Sequence, residues 1–146
     1  MRDVIKDLGQ HYAVDRSMLY ATGMSNGAGM TNRVAPELSD TFAAIGPVAG
    51  NNWARQSPTS PLSILVVFGR ADKLLPLDGG VVKLPWSEVR QPPTRASADN
   101  WARLLGCASS GSMRQGPIER TEWTGCRKGS SLAMVVVDDL EHFPAG

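Results

Sequence analysis

An α/β domain with a mostly parallel sheet and flanking helices is the fold class this sequence predicts, on three observations. Strand-length apolar runs occur without polar alternation, at Ile64 to Phe68 and Leu132 to Val137, which is how strands covered on both faces read. Segments of helical character lie between the extended stretches, and clusters of Gly, Pro, Ser and Asn punctuate them. The 146 residues are 42% hydrophobic, enough for one core, so residues 1–146 are expected to form a single domain.

Taken in order, Val4, Ile5, Leu8 and Tyr12 recur at helical spacing over residues 2–12, and the turn-like VDRS leads into an apolar stretch, Met18 to Ala21, that predicts a buried strand. The segment NGAGMTNRVAPEL after Ser25 reads as a helix that Pro36 should end or kink near residue 35. TFAAIGPVAG reads as a small-residue strand ending in a glycine loop, residues 51–61 as a surface connection, and Ser63 to Phe68 as a strand covered on both faces. LLPLDGG and VVKLPWSEVRQPP look too rich in Pro and Gly for regular structure, whereas Thr94 to Leu105 predicts a helix stopped by Gly106. An irregular stretch follows, and residues 117–124 and 131–137 then read as a hairpin-like extended pair around GCRKGS.

Fifteen basic and fourteen acidic residues give a net charge of +1 without a Lys/Arg block, which argues against a nucleic-acid partner. The apolar runs are too short to span a bilayer, and MRDVIKDLGQ has no signal-peptide core, so no membrane partner is expected. Cys107 and Cys126 have no metal-ligand spacing and no nearby His; by themselves they allow one disulfide or two free thiols.

The chemistry gathers at Gly23-Met24-Ser25-Asn26-Gly27, a G-x-S-x-G pattern. Placed between a strand and a helix, that pattern makes a sharp turn in which the glycines admit neighbouring backbone and the serine hydroxyl stands exposed at the sheet's edge. A serine hydroxyl needs a base to take its proton, and the base needs a third group to fix its tautomer. Of the two histidines, His11 falls on the first helix, while His142 follows the strand Leu132 to Val137 and is the better base. Sites in parallel α/β sheets gather beyond the carboxyl ends of the strands. Asp72 follows the strand Ser63 to Phe68 and is the first choice for the acid, with Asp78, Asp138 and Asp139 also in loops after strands. The four residues between Val137 and His142 can span roughly 13 Å when extended, two to three strand spacings of about 4.8 Å.

YATGMSNGAGM followed by APELSDTFAAIGPVAG, then FGRADKLLPLDGG, WARLLGC and the closing EHFPAG together resemble the C-terminal part of α/β-hydrolase esterases of the polyhydroxybutyrate depolymerase and feruloyl esterase type. The resemblance implies an α/β-hydrolase fold in which Ser25 is the nucleophile, Asp72 the acid and His142 the base. It further implies that the Asn26 N–H stabilises the oxyanion, that Cys107 and Cys126 form a disulfide, and that the protein works in an oxidising, extracellular compartment. No metal or organic cofactor is implied. Trp53, Trp86 and Trp123 fall in loops or at strand ends, and Trp53 and Trp86 are the candidates for a substrate wall.

Two departures from that family shape the expectation. The approach to His142 reads Asp138-Asp139-Leu140-Glu141 where the family is glycine-rich. The sequence also begins at the helix before the nucleophile strand, so the family's first strands and its second oxyanion donor are expected to be missing, leaving the nucleophile strand as an exposed edge. A homodimer, or a domain cut from a longer protein, would follow. The expected activity is carboxylic-ester hydrolysis through a Ser-His-Asp triad and an acyl-enzyme on small or polymer-derived esters of feruloyl, acetyl or hydroxyalkanoate type. The alternative is a weak or inactive fragment acting as a binding or interaction domain.

Overall fold

The computed structural model describes residues 1–143; Pro144, Ala145 and Gly146 of the closing EHFPAG lie outside the described residues. Helix α1 spans Arg2–His11, β1 Tyr20–Met24, α2 Asn26–Glu37, β2 Ala44–Val48 and β3 Ser63–Gly69. They are followed by β4 Gly80–Leu84, β5 Ser87–Gln91, α3 Arg95–Leu105, β6 Ser109–Gln115, β7 Ile118–Thr124 and β8 Ser131–Val137. Six strands form one sheet in the order β1-β2-β3-β8-β7-β6, and β4 with β5 forms a separate two-stranded sheet. The first four are parallel, with Ala21, Ile45, Ile64 and Leu132 in register across them. The last two are added antiparallel.

The core forms where α2 and α3 meet one face of this sheet. Val34 and Ala35 of α2 and Ala98, Trp101, Leu104 and Leu105 of α3 pack with Ile45, Ile64, Val66, Phe68, Leu132, Met134 and Val136. That face takes every second strand residue, the period-two consequence of the pleat. The opposite face is less covered than the sequence predicts, since Leu65 of β3 is 40% exposed. An unbroken apolar run therefore does not, in this chain, mean a strand buried on both sides.

Several boundaries also move. Residues 16–18 form a short 3-10 turn in which the Asp15 carboxylate accepts the Ser17 N–H, so the strand starts at Tyr20 instead of Met18. Helix α2 continues through Pro36 to Glu37. Pro36 falls in the final turn, where its missing N–H removes a single bond, and the Leu38 N–H closes the helix on the Val34 carbonyl at 2.8 Å.

The stretch that reads as irregular before α3 holds the β4–β5 hairpin, in which Leu84 pairs with Ser87 across Pro85 and Trp86. The Pro-Trp pair occupies a two-residue turn and leaves the ladders free. The irregular stretch after α3 holds β6, an edge strand whose residues are all exposed. The β7–β8 pair is antiparallel as the sequence predicts, and α3 ends at Gly106 with φ 64°.

Candidate active site

Ser25 is the junction between β1 and α2. It sits at φ 54°, ψ −117°, a conformation that costs a non-glycine residue about 1–3 kcal/mol and persists only where its surroundings enforce it. The Ser25 N–H donates to the Val48 carbonyl at 3.0 Å. Gly23 faces the backbone carbonyl of Gly27 so closely that any side chain at 23 would overlap it. Gly27, by contrast, has open space where a Cβ would stand, so only the first glycine of the pattern is a steric requirement.

A serine at a helix N-cap commonly accepts a first-turn N–H, yet the Ser25 side chain makes no such bond. Its Oγ lies 2.9 Å from His142 Nε2. His142 Nδ1 in turn lies 2.7 Å from Asp72 Oδ2. The ionised carboxylate can only accept, so the imidazole proton belongs on Nδ1, and Nε2 is left to accept the serine hydroxyl. His142 is 7% exposed and Asp72 3% exposed, so neither side chain is free in solvent. Asp72 is nevertheless also a turn residue: its Oδ1 accepts the Leu74 and Leu75 N–H groups, each at 2.8 Å, and this fixes the plane in which Oδ2 meets the imidazole.

The sheet explains why residues so distant in sequence converge. Ser25, Asp72 and His142 each follow a parallel strand, β1, β3 and β8, and therefore leave the sheet at the same end. β8 lies three positions from β1, and the loop 138–142 carries the imidazole across. The other candidates stay apart from this site. Asp78 and Asp139 are exposed. Asp138 is bound by Arg70 and Arg114, and the hydrogen bond from Arg70 holds its carboxyl below the usual carboxylate range. His11 is exposed on α1.

Asn26 opens α2, and its N–H is among those without an intrahelical acceptor. It lines, with Ser25 and His142, a cleft of about 630 Å³. Trp53 and Trp86 line that cleft too and are 68% and 80% exposed. Trp123 does not join them. It is 8% exposed, packs in the core and carries the Arg95 guanidinium 4.7 Å from its ring centroid.

The sequence hides part of the cleft's apolar wall, because Val82, Leu84, Pro85 and Val89 belong to the hairpin that reads as irregular. It also hides what holds that wall. Gln91 of β5 accepts from Asn51 Nδ2 at 2.9 Å, Asn51 Oδ1 accepts the Ser97 hydroxyl at 3.1 Å, and Asn32 joins Trp101 Nε1 to the Asn51 carbonyl. The usable signal is the alternation in VVKL and EVRQ on either side of Pro-Trp.

Cys107 and Cys126, next to the far end of α3, form a disulfide.

No protein-family model matches the chain. Feruloyl esterase B of Piromyces equi is 27% identical over 153 residues, covering 97% of this chain and 28% of that protein. Probable feruloyl esterase C of Aspergillus terreus is 29% identical over 133 residues, covering 90% of this chain and 46% of its own length. An acetyl xylan esterase from Aspergillus awamori superposes with a TM-score of 0.68 at 17% identity, over 97% of this chain and 60% of that one. The chain thus spans less than half the length of these two curated relatives, and it shares the fold of the acetyl xylan esterase over nearly its whole length.

Proposed function

We propose that this chain carries the catalytic site of a serine carboxylic-ester hydrolase of the α/β-hydrolase fold. One observation carries the reading: an unbroken hydrogen-bond chain from the buried Asp72 carboxylate through His142 to the Ser25 hydroxyl, on a strained helix N-cap. The order Ser, Asp, His along the sequence is that of α/β-hydrolase triads, and the similarity to feruloyl esterases supports the same class.

In this reading His142 Nε2 takes the Ser25 proton as Oγ attacks the ester carbonyl, and Asp72 stabilises the imidazolium through Nδ1–H. The Asn26 N–H, at the positive end of α2, donates to the developing oxyanion. His142 then returns the proton to the departing alcohol, and water, activated by the same imidazole, releases the acid from the acyl-serine. No step calls for a metal or an organic cofactor. Trp53 and Trp86 form part of the wall against which the substrate lies, and the apolar hairpin residues favour esters with a bulky or planar group. Feruloyl and acetylated-sugar esters are the leading substrates, by similarity to proteins of those names. The Cys107–Cys126 disulfide supports an oxidising, extracellular location.

The test is turnover of methyl ferulate, an acetylated xylo-oligosaccharide and 4-nitrophenyl acetate by the 146-residue chain and by Ser25→Ala. Hydrolysis of at least one ester, reduced about 10³-fold or more in the variant, supports the reading. Equal rates for the two proteins on all three esters would overturn it.

A further inference from the structure

Asp72 and His142 stand on the loops that begin at Arg70 and Asp138, where the chain leaves the neighbouring strands β3 and β8. The end of β3 with its loop is joined to the end of β8 with its loop at three points. The Arg70 N–H donates to the Val137 carbonyl at 2.8 Å, which carries the ladder one residue past β3. Gly69 lies against the Leu140 carbonyl oxygen so closely that no side chain fits between them. The Arg70 guanidinium makes the third junction: Nε donates to Asp138 Oδ1 at 2.8 Å while an Nη reaches Glu119 Oε2 at 2.7 Å.

A second arginine closes the figure. Arg114 of β6 binds the other oxygen of Asp138 and lies 3.7 Å from Glu119 of β7. The Asp138 N–H donates to the Pro117 carbonyl at 2.9 Å. Two guanidiniums and two carboxylates therefore alternate in a ring that links the acid's loop, the base's loop and the β6–β7 hairpin. Its side chains are between 25% and 48% exposed, and pairs so placed contribute little to global stability. A planar guanidinium shared between two carboxylates does, however, fix direction. Direction is what His142 needs, because its ring must meet Asp72 and Ser25 at once from a loop that belongs to no strand.

We infer that Arg70, through Asp138, is a positioning residue that holds the His142 loop in register with Asp72. The inference rests on the triad reading for its effect on chemistry, but its structural part is separately measurable.

The experiment compares the unaltered chain with Arg70→Gln, Arg70→Lys and the pair Arg70→Gln/Asp138→Asn. Three quantities are read: the second-order rate of labelling by a fluorophosphonate, the His142 Nδ1 proton signal in solution NMR, and the thermal midpoint. Arg70→Gln should label about tenfold more slowly, since small misplacements of reacting groups carry costs of this order. Its Nδ1 proton should exchange faster with water, and its midpoint should change little. Arg70→Lys, which keeps the charge but not the fork, should fall between. Adding Asp138→Asn should cost little more, because both changes break one device.

Unchanged labelling and an unchanged Nδ1 signal in Arg70→Gln would overturn the inference. A large fall in midpoint that accounts for the slower labelling would overturn it too, by making Arg70 a structural residue. If the unaltered chain does not label at all, the nucleophile reading fails by itself, and the Nδ1 signal still decides whether Arg70 holds His142.

Discussion

At the scale of single residues, the site depends on Asp72 serving two neighbours with two different oxygens. Oδ1 accepts two backbone N–H groups and Oδ2 takes His142. In Asp72→Asn the amide oxygen can keep the backbone bonds, but the NH₂ would then face His142 Nδ1. That arrangement favours the tautomer with the proton on Nε2, which cannot accept from Ser25. The expected result is a folded protein with an unchanged melting profile and ester turnover lowered by about 10⁴-fold. A variant that retains more than a tenth of the activity would remove Asp72 from the mechanism. Ser25 is legible as the centre of Gly23-Met24-Ser25-Asn26-Gly27, and His142 because the proposed chemistry demands a base and only two histidines exist. The choice among four aspartates is not decided by the residues alone, since all four follow strands. Burial and the contact with His142 are properties of the folded loops.

At the scale of elements, the strand-turn-helix from β1 to α2 makes opposite demands at its two glycines. Gly23→Ala drives a methyl into the Gly27 backbone and should destabilise by about 1–3 kcal/mol, as overpacking does. Gly27→Ala meets open space within a helix and should stabilise by up to about 1 kcal/mol. Urea unfolding of the two variants checks the sign of each; equal effects would mean that the motif's glycines act only through chain entropy. Legibility differs from one element to the next for physical reasons. Apolar runs with turn signals at both ends, such as β3 and β8, can be read directly. The β4–β5 hairpin is hidden by the density of Pro and Gly in its segment, although Pro85 occupies the turn and Gly79, Pro92 and Pro93 flank the ladder. β6 is hidden for a different reason: SSGSMRQ buries nothing, so no hydrophobic pattern marks it, and its place comes from pairing with β7.

At the scale of the whole molecule, one core joins α2, α3 and a single face of the six-stranded sheet. The Cys107–Cys126 bridge closes the chain around β6 and β7, across a sequence separation of 19. Such a loop contributes about 3 kcal/mol in the chain-entropy account, so Cys107→Ser/Cys126→Ser should lower the thermal midpoint by about 6–12 °C. An unchanged midpoint would show that the bridge constrains nothing the fold does not already fix. At the opposite end of the molecule three parallel strands bring Ser25, Asp72 and His142 together, with Ser25 and His142 lining the cleft. Peptide mass spectrometry of the intact chain after reaction with a fluorophosphonate tests this convergence. One adduct is expected, on Ser25, absent in Ser25→Ala and strongly reduced in His142→Ala. A folded chain that remains unlabelled, or that carries its adduct on another residue, would contradict it.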